Sequence, residues 1–219
     1  MKESYQNLAL LQNLYRLKAM GFTYIDPFTL NKESLHVRPQ NIQELHKEIA
    51  SCHLCDLSKS RTQAMQGYGN TNADIMIIDF NVSQIQDSTN NYFSGRSGEI
   101  LQKMVENVLQ IPIEQTYYTH MIKCKTLHNN TSSKSEYDSC KNYLYQQIDF
   151  IQPKVIILLG EQSYNSFMGE ENPFENVRGH IINFKNHKLV PIYHPQYLLR
   201  NPELKKVALN DLKVIKSCL

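Results

Sequence analysis

The sequence lacks an excess of charge of either sign, a long apolar run and any repeated or low-complexity segment. Its 23 Lys and Arg residues nearly balance 21 Asp and Glu residues, so the overall charge neither indicates nor excludes a polyanionic partner. No apolar run approaches the length that spans a membrane, and charged residues interrupt the first twenty positions, which excludes a signal-peptide core there. We therefore expect a cytoplasmic protein that contacts no membrane.

The composition is sufficient for a folded core, because 41 % of the 219 residues are hydrophobic and 10 % are aromatic. Apolar residues recur with a helical period over residues 3–20, and a second short helix is predicted over residues 42–49 after an aperiodic connector. The sequence thus predicts an N-terminal helical extension, residues 1–48, followed by a main domain, residues 49–219.

Short β-type runs alternate with helical segments in this main domain. The run at 155–159 is apolar throughout, which is typical of a strand buried on both faces of a parallel sheet. Segments 181–184 and 189–192 predict a hairpin. The alternation predicts an α/β fold, a three-layer α/β/α sandwich with a central, mostly parallel sheet.

Five cysteines form the first specific feature. Cys52 and Cys55 make a C-x2-C pair, Cys124 and Cys140 follow singly, and Cys218 stands beside the C-terminus. In a reducing compartment such thiols serve as metal ligands, reactive groups or buried small side chains rather than disulfides. Four thiolates from distant segments bind either zinc or an iron–sulfur cluster, and the spacing does not choose between them. We interpret Cys218 as a bystander.

A second feature is the segment Tyr-His-Pro-Gln-Tyr-Leu-Leu-Arg, which directly follows a β-type run and contains His194. Ligands of parallel α/β sheets bind at the carboxyl ends of the strands, so this histidine is placed to reach a substrate. A lone histidine is more often structural. The segment by itself therefore leaves both interpretations open.

Taken together and in order, the motifs of residues 49–212 resemble those of the family 4 uracil-DNA glycosylases, the iron–sulfur branch of the uracil-DNA glycosylase superfamily. The motifs that carry the resemblance are the cysteine pair followed by Arg61, then Gly67-Tyr68-Gly69-Asn70, the segment 92–101, Met121-Ile122-Lys123-Cys124-Lys125, the segment 140–148, the segment 153–160, Arg178-Gly179 and the His194 segment.

The resemblance implies an enzyme of base-excision repair that hydrolyses the N-glycosidic bond of flipped-out deoxyuridine in DNA and acts as a monomer. The DNA can be single- or double-stranded. The resemblance also implies a 4Fe-4S cluster with four cysteine ligands. These are Cys52, Cys55, Cys124 and Cys140.

Several site residues follow from the same resemblance. Phe93 matches the ring that stacks on uracil, and His194 matches the donor that stabilises the negative charge of the departing base. The stretch Leu198, Leu199 and Arg200 matches the loop whose apolar side chain fills the gap left by the flipped base. Basic residues near the third cysteine are expected to contact DNA phosphates, and we name Lys123 and Lys125.

The sequence departs from the family pattern at its first active-site motif, where both glutamates are missing. Asp79, Phe80 and Asn81 stand in the strand-end loop, and Asp87 keeps the place of a family acid. We predict that Asp79 orients the attacking water, with Asp87 as a second catalytic candidate, and that Phe80 and Asn81 contact the base. The alternative role of Asp79 is to cap the loop by accepting backbone N–H bonds.

A histidine replaces the asparagine with which the family reads uracil. An imidazole has one donor and one acceptor in a geometry that differs from an amide, so His120 is predicted to alter base selectivity or catalysis, or else to pack in the pocket wall. Three alternatives stay open: a catalytically silent iron–sulfur module that binds DNA, a glycosylase selective for another base such as hypoxanthine, and a zinc-ribbon-like interaction protein.

Overall fold

A computed structural model describes residues 11, 12, 14–16, 18, 39–126, 133–169 and 172–219. The chain separates into two units, Met1–Gln40 and Asn41–Leu219. The six described residues before position 19 are helical, and the rest of the helix predicted over 3–20 lies outside the described residues. The predicted boundary after residue 48 stays a prediction, but the second predicted helix belongs to the second unit.

The helices of the second unit are α1 (Ile42–Ala50), α2 (Gln84–Thr89), α3 (Gly95–Lys103), α4 (Lys134–Ile151), α5 (Gly160–Met168), α6 (Phe174–Val177), α7 (Pro195–Arg200) and α8 (Lys205–Lys216). Shorter turns of 3-10 helix lie at Asp56–Lys59, Ile113–Gln115 and Pro202–Leu204, and a π-helical turn at Met104–Leu109 continues α3. The strands are β1 (Tyr68–Gly69), β2 (Ile75–Val82), β3 (Tyr117–Lys125), β4 (Val155–Leu159), β5 (Ile182–Phe184) and β6 (His187–Ile192). None of the helices in the described part of the chain combines the length and apolarity that crossing a bilayer requires.

The six strands form one sheet in the order β1-β3-β2-β4-β6-β5. The four central strands are parallel, whereas β1 and β5 pair antiparallel at the two edges. This arrangement confirms the prediction of a mostly parallel sheet. It also confirms the predicted hairpin, in which Ile182 pairs with Leu189.

The central strands are almost wholly buried, because helices cover both faces of the sheet. Every residue of β4 is buried, as expected for a strand without a solvated face. Helix α4 packs on β3 and α1, and α5 packs on β2, β4 and β6. Helix α8 packs on β6 and on the π-helical turn. The crossover from β2 to β3 and the crossover from β3 to β4 run in opposite directions across the sheet. Because crossovers between parallel strands are right-handed, their helices lie on opposite faces, and the three layers result.

The order of the strands also locates a crevice. The chain leaves β2 toward β3 on one side and returns to β4 on the other. In parallel α/β sheets, such a reversal opens a crevice at the carboxyl ends of the strands, where ligands bind. The register of β2 and β3 shifts between Asn81 and Val82, and an irregularity of this kind re-aims the side chains at a strand end.

Candidate active site

A cavity of about 360 Å³ opens at the carboxyl ends of β2, β4 and β6. It lies at the crevice that the strand order predicts, and its wall combines acidic, aromatic and amide side chains. The lining residues are Asp79, Phe80, Asn81, Leu159, Gly160, Glu161, Gln162, Phe174, Glu175, Tyr193, His194, Gln196 and Tyr197. The structure therefore brings together four of the predicted site residues: Asp79, Phe80, Asn81 and His194.

Asp79 and His194 are in direct contact in this wall. The Nε2 atom of His194 lies 3.2 Å from Oδ2 of Asp79. The same oxygen accepts a hydrogen bond of 3.0 Å from the Tyr118 hydroxyl, and Oδ1 accepts one of 2.7 Å from the Phe80 N–H. Burial alone would raise the pKa of Asp79, but its interaction with His194, together with the hydrogen bond from the Phe80 N–H, outweighs burial and lowers the pKa to about 2. Asp79 is thus a carboxylate near neutral pH.

The position of His194 is set by the start of α7. His194 is the N-cap residue, and its Nδ1 accepts a hydrogen bond of 3.0 Å from the Gln196 N–H. Because Nδ1 carries a lone pair, the hydrogen of the neutral ring is on Nε2. Burial alone would lower the pKa of His194, but the charge of Asp79 and the hydrogen bond to it raise the pKa above its usual value. Nε2 carries a hydrogen in both protonation states and is always a donor.

A glycine lets the next helix start against this histidine. Gly160 follows β4 with φ +82°, and a Cβ atom there would lie 3.0 Å from Cβ of His194. A side chain would both strain this backbone and crowd the imidazole.

His120 is near the pair but does not line the cavity. Its side chain is 0 % exposed, and Nε2 is 3.4 Å from the Tyr118 hydroxyl. The Tyr92 ring stacks on it at 5.8 Å. Burial lowers the pKa of His120 to about 4, so the ring is neutral. Its Nδ1 atom is buried without a hydrogen-bond partner in the structure. Of the predicted alternatives, this placement favours packing in the wall behind Tyr118.

Phe93 belongs to an aromatic cluster next to the cavity. Its ring lies 5.4 Å from that of Tyr118 and 5.5 Å from that of Tyr68. Tyr118 in turn donates to Asp79, as described above. Phe93 is half-buried and is not among the lining residues of the cavity, so its stacking on a base stays a prediction.

Asp87 is not among the lining residues, and it binds the backbone of another segment. Its carboxylate accepts hydrogen bonds from the N–H of Thr62 at 3.0 Å and from its hydroxyl at 2.9 Å. The Lys125 ammonium lies 3.8 Å from the same carboxylate. These contacts indicate a structural role for Asp87, in contrast to the predicted catalytic one, and they engage one of the two lysines that we predicted to contact DNA.

Lys123 does not fit the predicted contact with DNA, because its side chain is buried and the residue is 1 % exposed. The ammonium donates to the Thr119 hydroxyl, the His120 carbonyl and the Gln147 side-chain oxygen. Gln147 also donates to the Tyr117 hydroxyl. Burial lowers the pKa of Lys123 to about 7. Sequence reasoning missed this burial because β3 continues through the lysine, where the strand is covered on both faces.

The three residues of the predicted wedge differ in exposure. Leu198 is 2 % exposed and packs in the core, whereas Leu199 is 37 % exposed. Arg200 is exposed at the end of α7. A buried Leu198 cannot enter DNA in this structure, so only the other two residues remain available for the predicted role.

The four cysteines of the predicted cluster line one small cavity. They come from the segment after α1, from β3 and from α4, and the lining is Ile49, Cys52, Leu54, Cys55, Arg61, Ala64, Lys123, Cys124, Ser139, Cys140 and Tyr143. The structure thus brings together all four predicted ligands. Cys218, by contrast, lies near the end of α8, and its thiol donates to the Val214 carbonyl.

Burial disfavours the thiolate form of these cysteines, but two donors partly offset it. Burial raises the pKa of Cys140 to about 12, so its ionisation requires compensating positive charge or donors. Arg61 donates to Sγ of Cys124 at 3.0 Å, and the Lys123 N–H lies 3.4 Å from Sγ of Cys140. No three His, Cys, Asp or Glu side chains of the described residues stand close enough to hold a single metal ion. A cluster gives each iron its own thiolate and spreads the sulfurs further apart.

Sequence reasoning missed three tyrosines of the site. Tyr118 precedes His120 by two positions on β3, and this spacing places both on one face of the strand. Tyr193 and Tyr197 flank His194 in the segment that we singled out, but nothing in their sequence shows that their rings stack at 5.3 Å.

Comparison with known proteins identifies similar chains. Residues 66–213 match the family described as "Uracil DNA glycosylase superfamily". The chain is 32 % identical to the type-4 uracil-DNA glycosylase of Sulfurisphaera tokodaii over 80 % of its own length and 84 % of that protein. It is 30 % identical to the type-4 uracil-DNA glycosylase of Thermotoga maritima, over 84 % of its length and 97 % of that protein. The same identity relates it to the type-4 enzyme of Saccharolobus solfataricus, over 82 % and 87 % of the two chains.

Proposed function

The chain belongs to the type-4 uracil-DNA glycosylases of the uracil-DNA glycosylase superfamily, and on this premise we propose that it hydrolyses the N-glycosidic bond of deoxyuridine in DNA. The product is an abasic site, as base-excision repair requires. The single observation that carries the proposal is the contact between Asp79 and His194 in a cavity at the carboxyl ends of three parallel strands.

In this proposal, His194 supplies the hydrogen-bond donor to the departing base. Cleavage leaves negative charge on the departing uracil, and a donor aimed at a uracil carbonyl oxygen stabilises charge that develops only in the transition state. Nε2 carries a hydrogen whatever the protonation of the ring, because the Gln196 N–H occupies Nδ1. A bound base would therefore take the hydrogen bond that His194 now gives to Asp79.

In this proposal, Asp79 supplies the carboxylate that orients the attacking water. Once His194 turns its hydrogen to the base, Oδ2 of Asp79 regains an acceptor site that can orient a water molecule for attack on the sugar. Its negative charge also stabilises the positive charge that develops on the sugar ring. Tyr118 keeps a donor on the same oxygen at 3.0 Å, which holds the carboxylate in one orientation. Burial raises the pKa of Tyr118 well above 10, so its hydroxyl stays protonated.

We further propose that Cys52, Cys55, Cys124 and Cys140 hold a 4Fe-4S cluster. Its contribution is structural: bound to four thiolates, it ties the segment after α1 to β3 and α4. The convergence of these cysteines on one cavity supports this proposal, as does the donation from Arg61 to Cys124.

Hypoxanthine is a second candidate base. Nε2 of His194 is a donor in the cavity wall, and both uracil and hypoxanthine have a carbonyl oxygen that can accept its hydrogen. His120 is buried behind Tyr118 and does not line the cavity, so this histidine does not supply a second contact to the base edge.

The test is single-turnover excision by protein purified without oxygen. Oligonucleotides with one uracil or one hypoxanthine, single-stranded and in duplex, are incubated with the enzyme, and abasic products are cleaved with alkali. We expect product from uracil-containing DNA. Asp79→Asn should lower the rate about 10²- to 10⁴-fold and His194→Ala about 10²- to 10³-fold.

A matched control is available next to the amino end of the same strand. Asp74 precedes β2 at its opposite end and forms an exposed ion pair with Lys154, so Asp74→Asn should excise at the wild-type rate. Absence of product from every wild-type reaction would overturn the glycosylase proposal in favour of a catalytically silent module. A rate for Asp79→Asn within threefold of wild type would instead remove Asp79 from the mechanism.

A further inference from the structure

An exposed aromatic ring stands at the rim of the cavity that holds Asp79 and His194. Tyr197 lies on α7, three residues after His194, and lines the same cavity. It is 45 % exposed, although a ring of this size gains from burial. A large ring left at the mouth of a site is a surface that a flat ligand can cover.

The exposed ring of Tyr197 packs against a second aromatic ring that other residues hold in place. Tyr193 stacks on the inner side of Tyr197, with ring centroids 5.3 Å apart and an angle of 28° between the ring planes. The Arg178 guanidinium lies 4.8 Å from the centroid of the Tyr193 ring, and the Tyr193 hydroxyl donates to Glu175 at 2.6 Å. Two hydrogen bonds of 2.8 Å fix the same guanidinium to Asp211. Tyr193 and Tyr197 thus form an aromatic platform, and the contacts of Tyr193 hold it in place before any ligand binds.

The residue that sequence reasoning expected at this place is not accessible. Leu198 points into the core, and the adjacent Tyr197 points out beside the cavity. Exposed basic residues follow Tyr197 in the chain, at Arg200 on the same helix and at Lys205 and Lys206 at the start of α8. Cations next to an aromatic platform are the combination with which proteins bind nucleic acid, because the cations meet phosphates and the ring meets a base.

We propose that Tyr197 stacks on a DNA base adjacent to the nucleotide that enters the cavity, with Tyr193 and Arg178 as its support. This inference rests on the proposed function, since it takes DNA as the substrate of the cavity. Stacking holds the neighbouring base while the flipped nucleotide leaves the helix, and it replaces part of the stacking that flipping costs. The contact does not read sequence, because every base has an aromatic face.

The test measures binding rather than catalysis. The probe is a duplex with one tetrahydrofuran abasic site, which cannot be cleaved by a glycosylase, and binding is followed by fluorescence anisotropy at several salt concentrations. Stacking is worth about 1–3 kcal/mol per base, so Tyr197→Ala should raise Kd about 5- to 150-fold. Tyr197→Phe keeps the ring and should stay within twofold of wild type.

Salt dependence separates stacking from charge. Tyr197→Ala should weaken binding equally at every salt concentration, whereas Arg200→Gln should reduce the slope of log K against log salt by about 1. A matched control is Leu219→Ala. Leu219 is exposed and follows Cys218, whose carbonyl accepts from Lys188 at the amino end of β6. The cavity lies at the carboxyl ends of the strands, so Leu219→Ala should bind DNA like wild type.

The outcomes distinguish this inference from the proposed function. Binding by Tyr197→Ala within twofold of wild type, by a protein that excises uracil, overturns the inference and leaves the glycosylase proposal intact. Binding that depends on Tyr197, by a protein that excises no base, supports the inference and overturns the glycosylase proposal. A reduced salt slope for Tyr197→Ala would show that its effect comes from lost phosphate contacts, which also overturns stacking.

Discussion

Nε2 of His194 lies 3.2 Å from Oδ2 of Asp79, although 115 positions separate the two residues in the chain. Asp79 belongs to β2 and His194 follows β6, with β4 between these strands. Their contact therefore crosses the carboxyl ends of three neighbouring parallel strands, and it exists only because the sheet places these strands in this order.

The first prediction concerns the pKa of His194. The charge of Asp79 outweighs burial and raises this pKa above 6.5, so Asp79→Asn should leave burial to act alone and lower it below 6.5. NMR titration of the imidazole Cε1–H signal, assigned by its loss in His194→Ala, measures both values. A pKa that does not fall in Asp79→Asn would show that the pair is not coupled in solution.

The same coupling predicts how stability depends on pH. In the folded protein the pKa of Asp79 falls from 3.8 to about 2 and the pKa of His194 rises above 6.5, so the pair's contribution is fully present between about pH 4 and pH 6.5 and is lost as pH rises through the folded pKa of His194. The difference in unfolding free energy between wild type and Asp79→Asn should therefore shrink from pH 6.5 upward. Urea denaturation of both proteins at a series of pH values measures it, and a constant difference would contradict the prediction.

A third prediction concerns the cysteines. Cys140→Ser removes one of the four thiols that line the small cavity, so the purified protein should contain less iron than wild type and unfold at lower temperature. Cys218→Ser is the matched control, because Cys218 follows the end of α8 and lies outside that cavity. Iron analysis, absorbance near 400 nm and thermal denaturation test both variants. Equal iron loss in the two would contradict the assignment of ligands.

A fourth prediction concerns the buried ammonium of Lys123. Lys123→Met removes the donor that Thr119, His120 and Gln147 share, and the loss of these three buried hydrogen bonds should cost about 2 kcal/mol of unfolding free energy. Lys125→Met is the control two positions along the same strand, where the ammonium is partly exposed and its ion pair is long at 3.8 Å. We expect a loss of less than about 1 kcal/mol there. Urea denaturation compares the two.

A fifth prediction separates the two acids of the first motif. Asp87→Ala removes the acceptor of the Thr62 N–H and hydroxyl, so it should lower unfolding free energy by about 1–3 kcal/mol. Its single-turnover excision rate, measured below the unfolding transition, should stay within about tenfold of wild type, in contrast to the much larger loss for Asp79→Asn. A loss of rate as large as that of Asp79→Asn, without a loss of stability, would return Asp87 to the catalytic residues.

Much of the fold was predictable because burial leaves a local pattern. The continuous apolar run of β4 indicated a strand covered on both faces, and the alternation of strands and helices indicated the parallel sheet. The cysteine spacing and the segment around His194 likewise predicted which residues gather, since their types are rare and chemically specific.

The exposure of individual residues was less predictable. Lys123 reads as a surface cation, but β3 carries it under α4, where Gln147 accepts from it. Leu198 reads as an exposed wedge, whereas the short helix α7 turns it inward and turns Tyr197 outward. A residue type gives an average preference for the surface, and the helix and strand geometry around it decides the individual case.

The sequence by itself determined the α/β architecture, the set of four cysteines and the segment that bears the histidine, because periodicity and residue type record local requirements. Only the tertiary structure decided that Asp79 meets His194, that His120 lies behind Tyr118, and that Tyr197 forms the rim of the cavity. The physical reason is that such contacts depend on the order and register of strands far apart in the chain, which no local pattern encodes.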